Sequence, residues 1–199
     1  TMMDDIVKYM PAAESRKVSG INLKTNEIFE ANFDVLKPKS AFVFKTIVDP
    51  FIGRYSLIKV RSGVFKTDDL CYNARTETEF KVGKLYILQG NKASEIPELH
   101  AGDLGALAKL QGVNTGDTIS TKATPIQYAK MDISTPYTYL RYKAVNKQDI
   151  DKIAQAMGKL AAEDPTFKAV NDSANGQSLI YGLGDLHLQV IQYELKDEY

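Results

Sequence analysis

The sequence between Lys17 and Lys122 contains only short β-type runs and no helix-length amphipathic segment, which strongly limits the folds available to it. Turn signals separate the runs at Asp49-Pro50, Ser62-Gly63, Gly102-Asp103 and Gly116-Asp117. Many short strands with regular turns are typical of a β-barrel or β-sandwich. The strands predicted here include Ala41 to Asp49, Tyr55 to Val64, Leu70 to Ala74, Lys84 to Gln89 and Leu104 to Leu110.

After Lys122 the pattern changes to strands that alternate with amphipathic helices. The predicted order is strand, helix, two strands and helix: Pro136 to Val145, Asp149 to Ala162, Thr166 to Val170, Ser178 to Gly182 and Leu186 to Tyr199. Asn175-Gly176 is a hairpin signal between the two middle strands. A ferredoxin-like split βαβ domain has a fourth strand after the second helix. We therefore expect an α+β ferredoxin-like domain that lacks its last strand.

Composition excludes several classes of protein. The chain has 199 residues, of which 44% are hydrophobic and 25% charged, as in ordinary globular domains. Its 25 Lys and Arg balance 25 Asp and Glu, so it has no net basic field to attract nucleic acid. Cys71 is the single cysteine, which excludes a disulfide scaffold and fits a reducing compartment. No apolar run is long enough to span a membrane. We expect a cytoplasmic protein with no membrane partner.

The N-terminal segment predicts a short helix. Apolar residues from Met2 to Met10 follow helical spacing, and Pro11 ends the pattern. Because so short a helix is marginal alone, we expect it to pack against another segment. The predicted organisation is an N-terminal segment (1–16), a β-barrel domain (17–123) and a truncated ferredoxin-like domain (124–199).

One motif resembles a nucleotide site. Asn146-Lys147-Gln148-Asp149 matches the N-K-x-D pattern that recognises guanine, but the sequence has no phosphate-binding loop. Without such a loop, a guanine contact could not position a nucleotide for hydrolysis. We interpret Asp149 as a residue that caps or charges the start of the following helix.

No catalytic residue and no metal site are predicted. His100 and His187 fall in different predicted domains, and Cys71 has no paired cysteine, so a metal-ligating set is missing. The carboxylates that could form an acid/base pair are Glu163, Asp164 and Asp185. Neither a nucleophile nor an oxyanion group accompanies them, which favours a structural role. His187 follows two glycines that allow a sharp turn, and the residues alone favour its structural and functional roles about equally.

The motifs, taken in chain order, resemble one family. Asp49 to Gly63, Val82 to Leu107 and Asn114 to Ile119 are similar to the second domain of bacterial elongation factor G. Gly158 to Ile191 is similar to its third domain, and Met2 to Ser15 resembles the end of its GTPase domain and the exit linker. The resemblance covers nearly the whole chain. It implies a barrel of the translation-factor domain II type followed by a ferredoxin-like domain III.

The resemblance also implies a function. The chain would be the ribosome-binding, interdomain-coupling segment of a GTPase that promotes GTP-dependent translocation. Its partners would be small-subunit ribosomal RNA and protein and the GTPase domain of the same parent, which would hold GTP and magnesium. Asp185 stands where the family usually has Glu, and this departure is equally compatible with a paralogue. The alternatives are a release-factor or ribosomal-protection GTPase and a stand-alone acylphosphatase-like enzyme.

Two sets of site residues follow from the resemblance. Asp164, Thr166 and His187 match positions at the interdomain pocket associated with fusidic acid. The candidate contacts to ribosomal RNA are Arg54, Lys59, Arg61, Lys81 and Lys84, with Lys92 beside them. Tyr137, Tyr139 and Tyr142 could stack RNA bases, but core packing explains their alternation equally well.

Overall fold

The chain divides into two units. The structure is a computed structural model that describes residues 1–12, 15–49, 53–90, 92–172 and 174–197. The first unit comprises residues 1–45 and 49–130, and the second comprises residues 46–48 and 131–199. Part of the turn predicted at Asp49-Pro50 and the last two residues of the helix predicted to end at Tyr199 lie outside the described residues.

The first unit is built mainly from short strands, as the sequence predicts. It begins with helix α1 (Met2–Tyr9). Its strands are β1 (Ser19–Asn22), β2 (Ile28–Glu30), β3 (Ser40–Asp49), β4 (Gly53–Ser62), β5 (Val64–Lys66), β6 (Leu70–Asn73), β7 (Thr78–Lys81), β8 (Leu85–Gln89), β9 (Lys92–Ile96), β10 (Glu98–His100), β11 (Leu104–Ala108), β12 (Thr118–Ser120) and β13 (Ile126–Gln127). The main sheet has the order β7-β6-β12-β3-β4-β11-β8-β9. Smaller sheets pair β10 with β5 and arrange β13-β1-β2.

A single apolar core joins the main sheet to the β5–β10 pair. Its fully buried members include Val43, Ile58, Phe65, Leu85, Leu99, Leu107 and Ile119. Strands from two sheets therefore enclose the same core, as expected for a small barrel-like domain. Among the described strands, β7 and β9 form the edges of the main sheet, and no pairing between them closes it.

Strands β4 and β11 end earlier than predicted because of backbone conformation. The run predicted to continue to Val64 is interrupted at Gly63, which has a φ of 70°. A Cβ there would lie 2.5 Å from the Cα atom of Lys39, so the position requires glycine. The strand predicted to reach Leu110 ends at Ala108, because Lys109 has a φ of 58°.

The second unit has the predicted order β-α-β-β-α. Its elements are β14 (Thr138–Tyr142), a 3-10 turn (Lys147–Asp149), α2 (Ile150–Glu163), β15 (Lys168–Asp172), β16 (Gln177–Gly182) and α3 (Asp185–Asp197). The strands form an antiparallel sheet in the order β14-β16-β15. One face of this sheet packs against the helices through a core formed by Met157, Leu160, Phe167, Ile180, Leu188 and Ile191.

The division between the units falls after Lys130 rather than at the predicted 123/124 boundary. Strand β13 pairs with β1, with Ile126 opposite Asn22. The buried Tyr128 hydroxyl lies 2.6 Å from the Ser40 hydroxyl. These contacts hold the residues after 123 in the first unit.

Helix α1 is exposed along its whole length. Thr1 and Asp4 form a capping box at its start, yet none of its residues is buried. Val7 is 85% exposed and Met2 is 73% exposed. The described part of the chain therefore does not supply the packing partner that the sequence predicts for this helix. No described helix has the length and apolar character needed to cross a membrane.

Candidate functional site

Asp164, Thr166 and His187 form one hydrogen-bonded cluster in the second unit. Asp164 is the C-terminal cap of α2, and Thr166 follows in the loop that leads to β15. His187 lies in the first turn of α3. The side chain of Phe167 is 2% exposed and anchors the loop in the core. Residues that the sequence grouped only through a resemblance are thus in direct contact.

The imidazole of His187 links the start of α3 to the end of α2. The backbone N–H of Leu183 donates to Nδ1 at 3.0 Å, so Nδ1 acts as an acceptor. This pattern assigns the proton of the neutral ring to Nε2, which donates to Asp164 Oδ2 at 2.8 Å. The orientation of the ring is therefore fixed by a partner on each side.

The Asp164 carboxylate accepts hydrogen bonds at both oxygens. Oδ1 accepts from the Thr166 backbone N–H at 2.8 Å and from its hydroxyl at 2.6 Å, while Oδ2 accepts from His187. Burial alone would raise the pKa of Asp164, but the hydrogen bonds from Thr166 and His187 outweigh burial and hold the pKa below 3.8. The carboxylate is therefore ionised at neutral pH.

Gly182 belongs to the site for a reason that sequence reasoning missed. The sequence assigned Gly182 and Gly184 to a sharp turn, but neither has a positive φ. A Cβ at position 182 would instead lie 2.9 Å from Nδ1 of His187 and 2.9 Å from Cδ2 of Leu188. Gly182 thus allows α3 to approach β16 closely. A glycine that ends a strand just before a histidine-bearing helix is the sequence signal that could have identified it.

The polar atoms of the cluster are held by hydrogen bonds within domain III. Both ring nitrogens of His187 and both oxygens of Asp164 already have partners, so neither group is free to act as a general base. The side chains of His187 and Asp164 are 20% and 33% exposed, which leaves a polar edge that a ligand or protein surface could contact. The arrangement therefore leaves an ordered polar edge partly exposed.

Comparisons with known proteins identify both units. The family model described as Elongation factor G domain 2 matches residues 38–122. The model described as Elongation Factor G, domain III matches residues 133–199. Together the two matches span more than half of the chain. The chain belongs to the elongation factor G family.

The fold also occurs in a solved structure. A crystal structure of a protein from Thermus thermophilus superposes with a TM-score of 0.74 and 23% sequence identity over 98% of this chain. The match covers 27% of that protein, so this chain spans about a quarter of its length. The predicted succession of a domain II barrel and a ferredoxin-like domain III is confirmed. Asp164, Thr166 and His187 all lie in domain III.

Two of the candidate RNA contacts in domain II have ion-pair partners. Lys81 Nζ lies 2.9 Å from Asp68 Oδ1, and Lys84 Nζ lies 2.6 Å from Glu95 Oε2. Each of these lysines is at least 60% exposed, so an ion pair with water on most sides can be exchanged for a phosphate contact. Their role in RNA binding stays a prediction.

The other three candidate RNA contacts interact with neighbouring side chains of the same unit. Arg54 Nη2 donates to Asn114 Oδ1 at 3.0 Å. Lys59 Nζ and the Arg61 guanidinium lie 5.6 Å and 5.8 Å from the centre of the Phe33 ring. Burial lowers the pKa of Arg54 and of Arg61. An RNA contact by these residues is untested.

Asp149 occupies the N-cap position of α2, but its side chain makes no capping hydrogen bond. Instead, its Oδ2 accepts a hydrogen bond from Asn146 Nδ2 at 3.1 Å. The position agrees with the interpretation of Asp149 as a helix-start residue. Its contribution to α2 is therefore through charge at the helix start and not through a capping bond.

The structure also gives the surroundings of His100 and Cys71. His100 Nε2 lies 3.0 Å from Glu98 Oε1. Cys71 is 1% exposed, and burial raises the pKa of its thiol to about 12. Within the described ranges, no group of three or more His, Cys, Asp or Glu residues is arranged to hold a metal ion.

Proposed function

We propose that this chain is the ribosome-binding, interdomain-coupling segment of an elongation-factor-G-like GTPase that promotes GTP-dependent translocation during elongation. The observation that carries the proposal is the presence of domain II and domain III of the family in the family's order. Domain II docks on small-subunit ribosomal RNA and protein. Domain III meets a GTPase domain of the same parent protein, where GTP and magnesium bind. The protein acts in the cytoplasm.

The contribution of domain III is mechanical. The Asp164–His187 hydrogen bond connects the end of α2 to the start of α3, so a contact at one helix end is transmitted to the other. A change in nucleotide state at the neighbouring domain would shift the balance between arrangements of the domains. The same cluster would be the contact surface for a fusidic-acid-type ligand.

The first step of the test is to read the coding sequence on both sides of this segment. A phosphate-loop GTPase domain upstream and further domains downstream are expected. The full-length protein is then added with GTP to ribosomes stalled before translocation, and the position of the messenger RNA is measured by toeprinting. The proposal expects a shift of about one codon that requires GTP. A natural gene confined to this segment would overturn it.

The same preparation separates the alternatives. Release of peptide from a termination complex without codon movement would indicate a release factor. Restored translation in the presence of a tetracycline would indicate a protection factor. The segment alone is expected to bind no GTP, and an affinity in the micromolar range would contradict the assignment of GTP to another domain.

The role of the cluster is tested in the full-length protein with a matched pair of variants. His187→Ala is expected to weaken inhibition of translocation by fusidic acid and to slow translocation itself. His100→Ala removes the other histidine of the chain, which lies in domain II and is half-exposed. It is expected to leave both measurements unchanged. Equal effects of the two variants would refute an interdomain role for His187.

A further inference from the structure

The sheet of domain III has one face that points away from the helices. Ile180 belongs to the core shared with α2 and α3, and Tyr142 packs against that core. Side chains alternate between the two faces of a strand. The neighbours of these residues along β14 and β16 therefore lie on the opposite face.

Two tyrosines stand side by side on this helix-free face. Tyr139 of β14 pairs directly with Tyr181 of β16, and Tyr181 pairs in turn with Lys168 of β15. The two rings have centroids 5.7 Å apart with a tilt of 40°. Tyr139 is 60% exposed. The sheet thus presents a row of two aromatic rings that ends in a cation.

The next row on the same face adds a second cation. Arg141 pairs with Leu179, which pairs with Val170. Arg141 and Lys168 are both exposed. In the described part of the chain, neither forms an ion pair. Asp172, at the far end of β15, is already hydrogen-bonded by Asn175 at 2.6 Å. The face therefore combines one exposed and one half-buried ring with positive charge that has no ion-pair partner among the described residues.

We propose that this face binds single-stranded RNA, with Tyr139 and Tyr181 stacking on bases and Arg141 and Lys168 contacting backbone phosphates. Aromatic side chains on an open sheet are a general means of holding unpaired bases. Unpaired cations beside the rings match the charge of the RNA backbone. The proposal deepens the proposed function and rests on it for the choice of RNA as the partner.

The structure favours RNA over a second copy of the chain. Two copies packed through this face would bring Arg141 and Lys168 of both molecules into one interface, where like charges repel. The sequence left open whether the tyrosines of β14 pack in the core or face outward. In the structure Tyr139 lies on the helix-free face, while Tyr142 packs on the helix side. Tyr181, which the sequence analysis did not consider, completes the pair.

The test measures binding of a fluorescein-labelled ten-nucleotide RNA to the whole chain by fluorescence anisotropy at 50 mM salt. Tyr139→Leu and Tyr181→Leu keep an apolar side chain on the sheet but remove the ring. Each is expected to weaken binding about tenfold. The corresponding Phe variants keep the stacking surface and should retain wild-type affinity. The control is Tyr193→Leu, which removes a 66% exposed tyrosine from α3 and should have no effect.

Two further measurements distinguish stacking from general electrostatic attraction. The double variant Arg141→Gln/Lys168→Gln should reduce the slope of log affinity against log salt by about 1.4, because each phosphate contact on single-stranded nucleic acid contributes about 0.7. NMR spectra should show upfield shifts of the ring protons of Tyr139 and Tyr181 when RNA is added. Ring protons of Tyr193 should not shift.

The proposal is overturned if the wild-type chain does not bind the RNA, or if the Leu variants bind as tightly as the wild type. It is also overturned if sedimentation shows a dimer that Tyr139→Leu dissociates, because the occupant would then be a second copy. Binding that depends on the tyrosines, together with a full-length protein inactive in translocation, would refute the proposed function alone. RNA binding that does not depend on the tyrosines, together with a full-length protein active in translocation, would refute only the RNA site.

Discussion

The hydrogen bond between His187 and Asp164 should be measurable as a coupling free energy. His187→Ala removes the acceptor of the Leu183 N–H and the donor to Asp164. A hydrogen bond to a charged group contributes about 1.5–3 kcal/mol, and the exposure of both side chains places this one near the lower limit. We expect His187→Ala to lower the free energy of unfolding of domain III by about 2 kcal/mol. The coupling with Asp164→Ala should be about 1 kcal/mol.

The assay is urea unfolding of the whole chain, followed by circular dichroism at 222 nm. Helices α2 and α3 both belong to domain III, so this signal reports mainly on that unit. Hydrogen exchange of β16 peptides checks that the same unit unfolds. The control cycle combines His187→Ala with Asp172→Ala, whose carboxylate bonds within its own turn. Because the two sites share no partner, their effects should add. A His187–Asp164 coupling free energy below about 0.3 kcal/mol would refute the stabilising hydrogen bond between the two side chains.

The pH dependence gives an independent check on Asp164. Its pKa is held below 3.8 in the folded protein, so the ionised carboxylate stabilises the fold above that pH. This stabilisation is lost as the pH falls through the lowered pKa. The difference in stability between wild type and Asp164→Asn should therefore be full above about pH 5 and shrink toward pH 2. A difference that stays constant over this range would contradict the ionised, hydrogen-bonded state.

Three further predictions concern domain II. Gly63→Ala should destabilise the domain more than Gly112→Ala in urea unfolding: both have nearly the same φ, 70° and 71°, but only a Cβ at 63 meets backbone atoms, at 2.5 Å. Asp117→Ala breaks the ion pair with Arg75 at a side chain that is 4% exposed and should lower the free energy of unfolding by about 3 kcal/mol. Glu95→Ala breaks a surface ion pair and should lower it by less than about 1 kcal/mol; equal losses would contradict the burial argument. Labelling of the Cys71 thiol at pH 8 should be about a thousandfold slower in the folded than in the unfolded chain, because its pKa rises from 9.0 to about 12; rapid labelling of folded protein would refute this.

The sequence predicts the two helices of domain III because each has an apolar face at helical spacing. The apolar face of α2 is long enough to identify a helix, whereas β14 (Thr138–Tyr142) is five residues shorter than the run predicted over 136–145. Strand β13 is only Ile126–Gln127, which is too short to show any period. Its pairing with β1, and the nearby contact of Tyr128 with Ser40, join residues about a hundred positions apart, which a local sequence pattern does not reveal.

The candidate site, too, could be predicted only in part from the sequence. The resemblance selected Asp164, Thr166 and His187, but periodicity and spacing gave no contact between residues separated by 23 positions along the chain. The close approach of α3 to β16 at Gly182 is a property of packing and appears only in three dimensions. The pairing of Tyr139 with Tyr181 likewise depends on strand register, which the sequence leaves open.

The geometry of the cluster is determined within domain III itself. Thr166 lies two residues from Asp164 and supplies two of its three donors, so the carboxylate is oriented locally. His187 is then fixed between that carboxylate and the Leu183 N–H. A ligand or neighbouring domain that contacts this edge would therefore meet polar groups already in place and would not have to order them. Because ordering such side chains costs binding free energy, this arrangement favours tight recognition from a small exposed area.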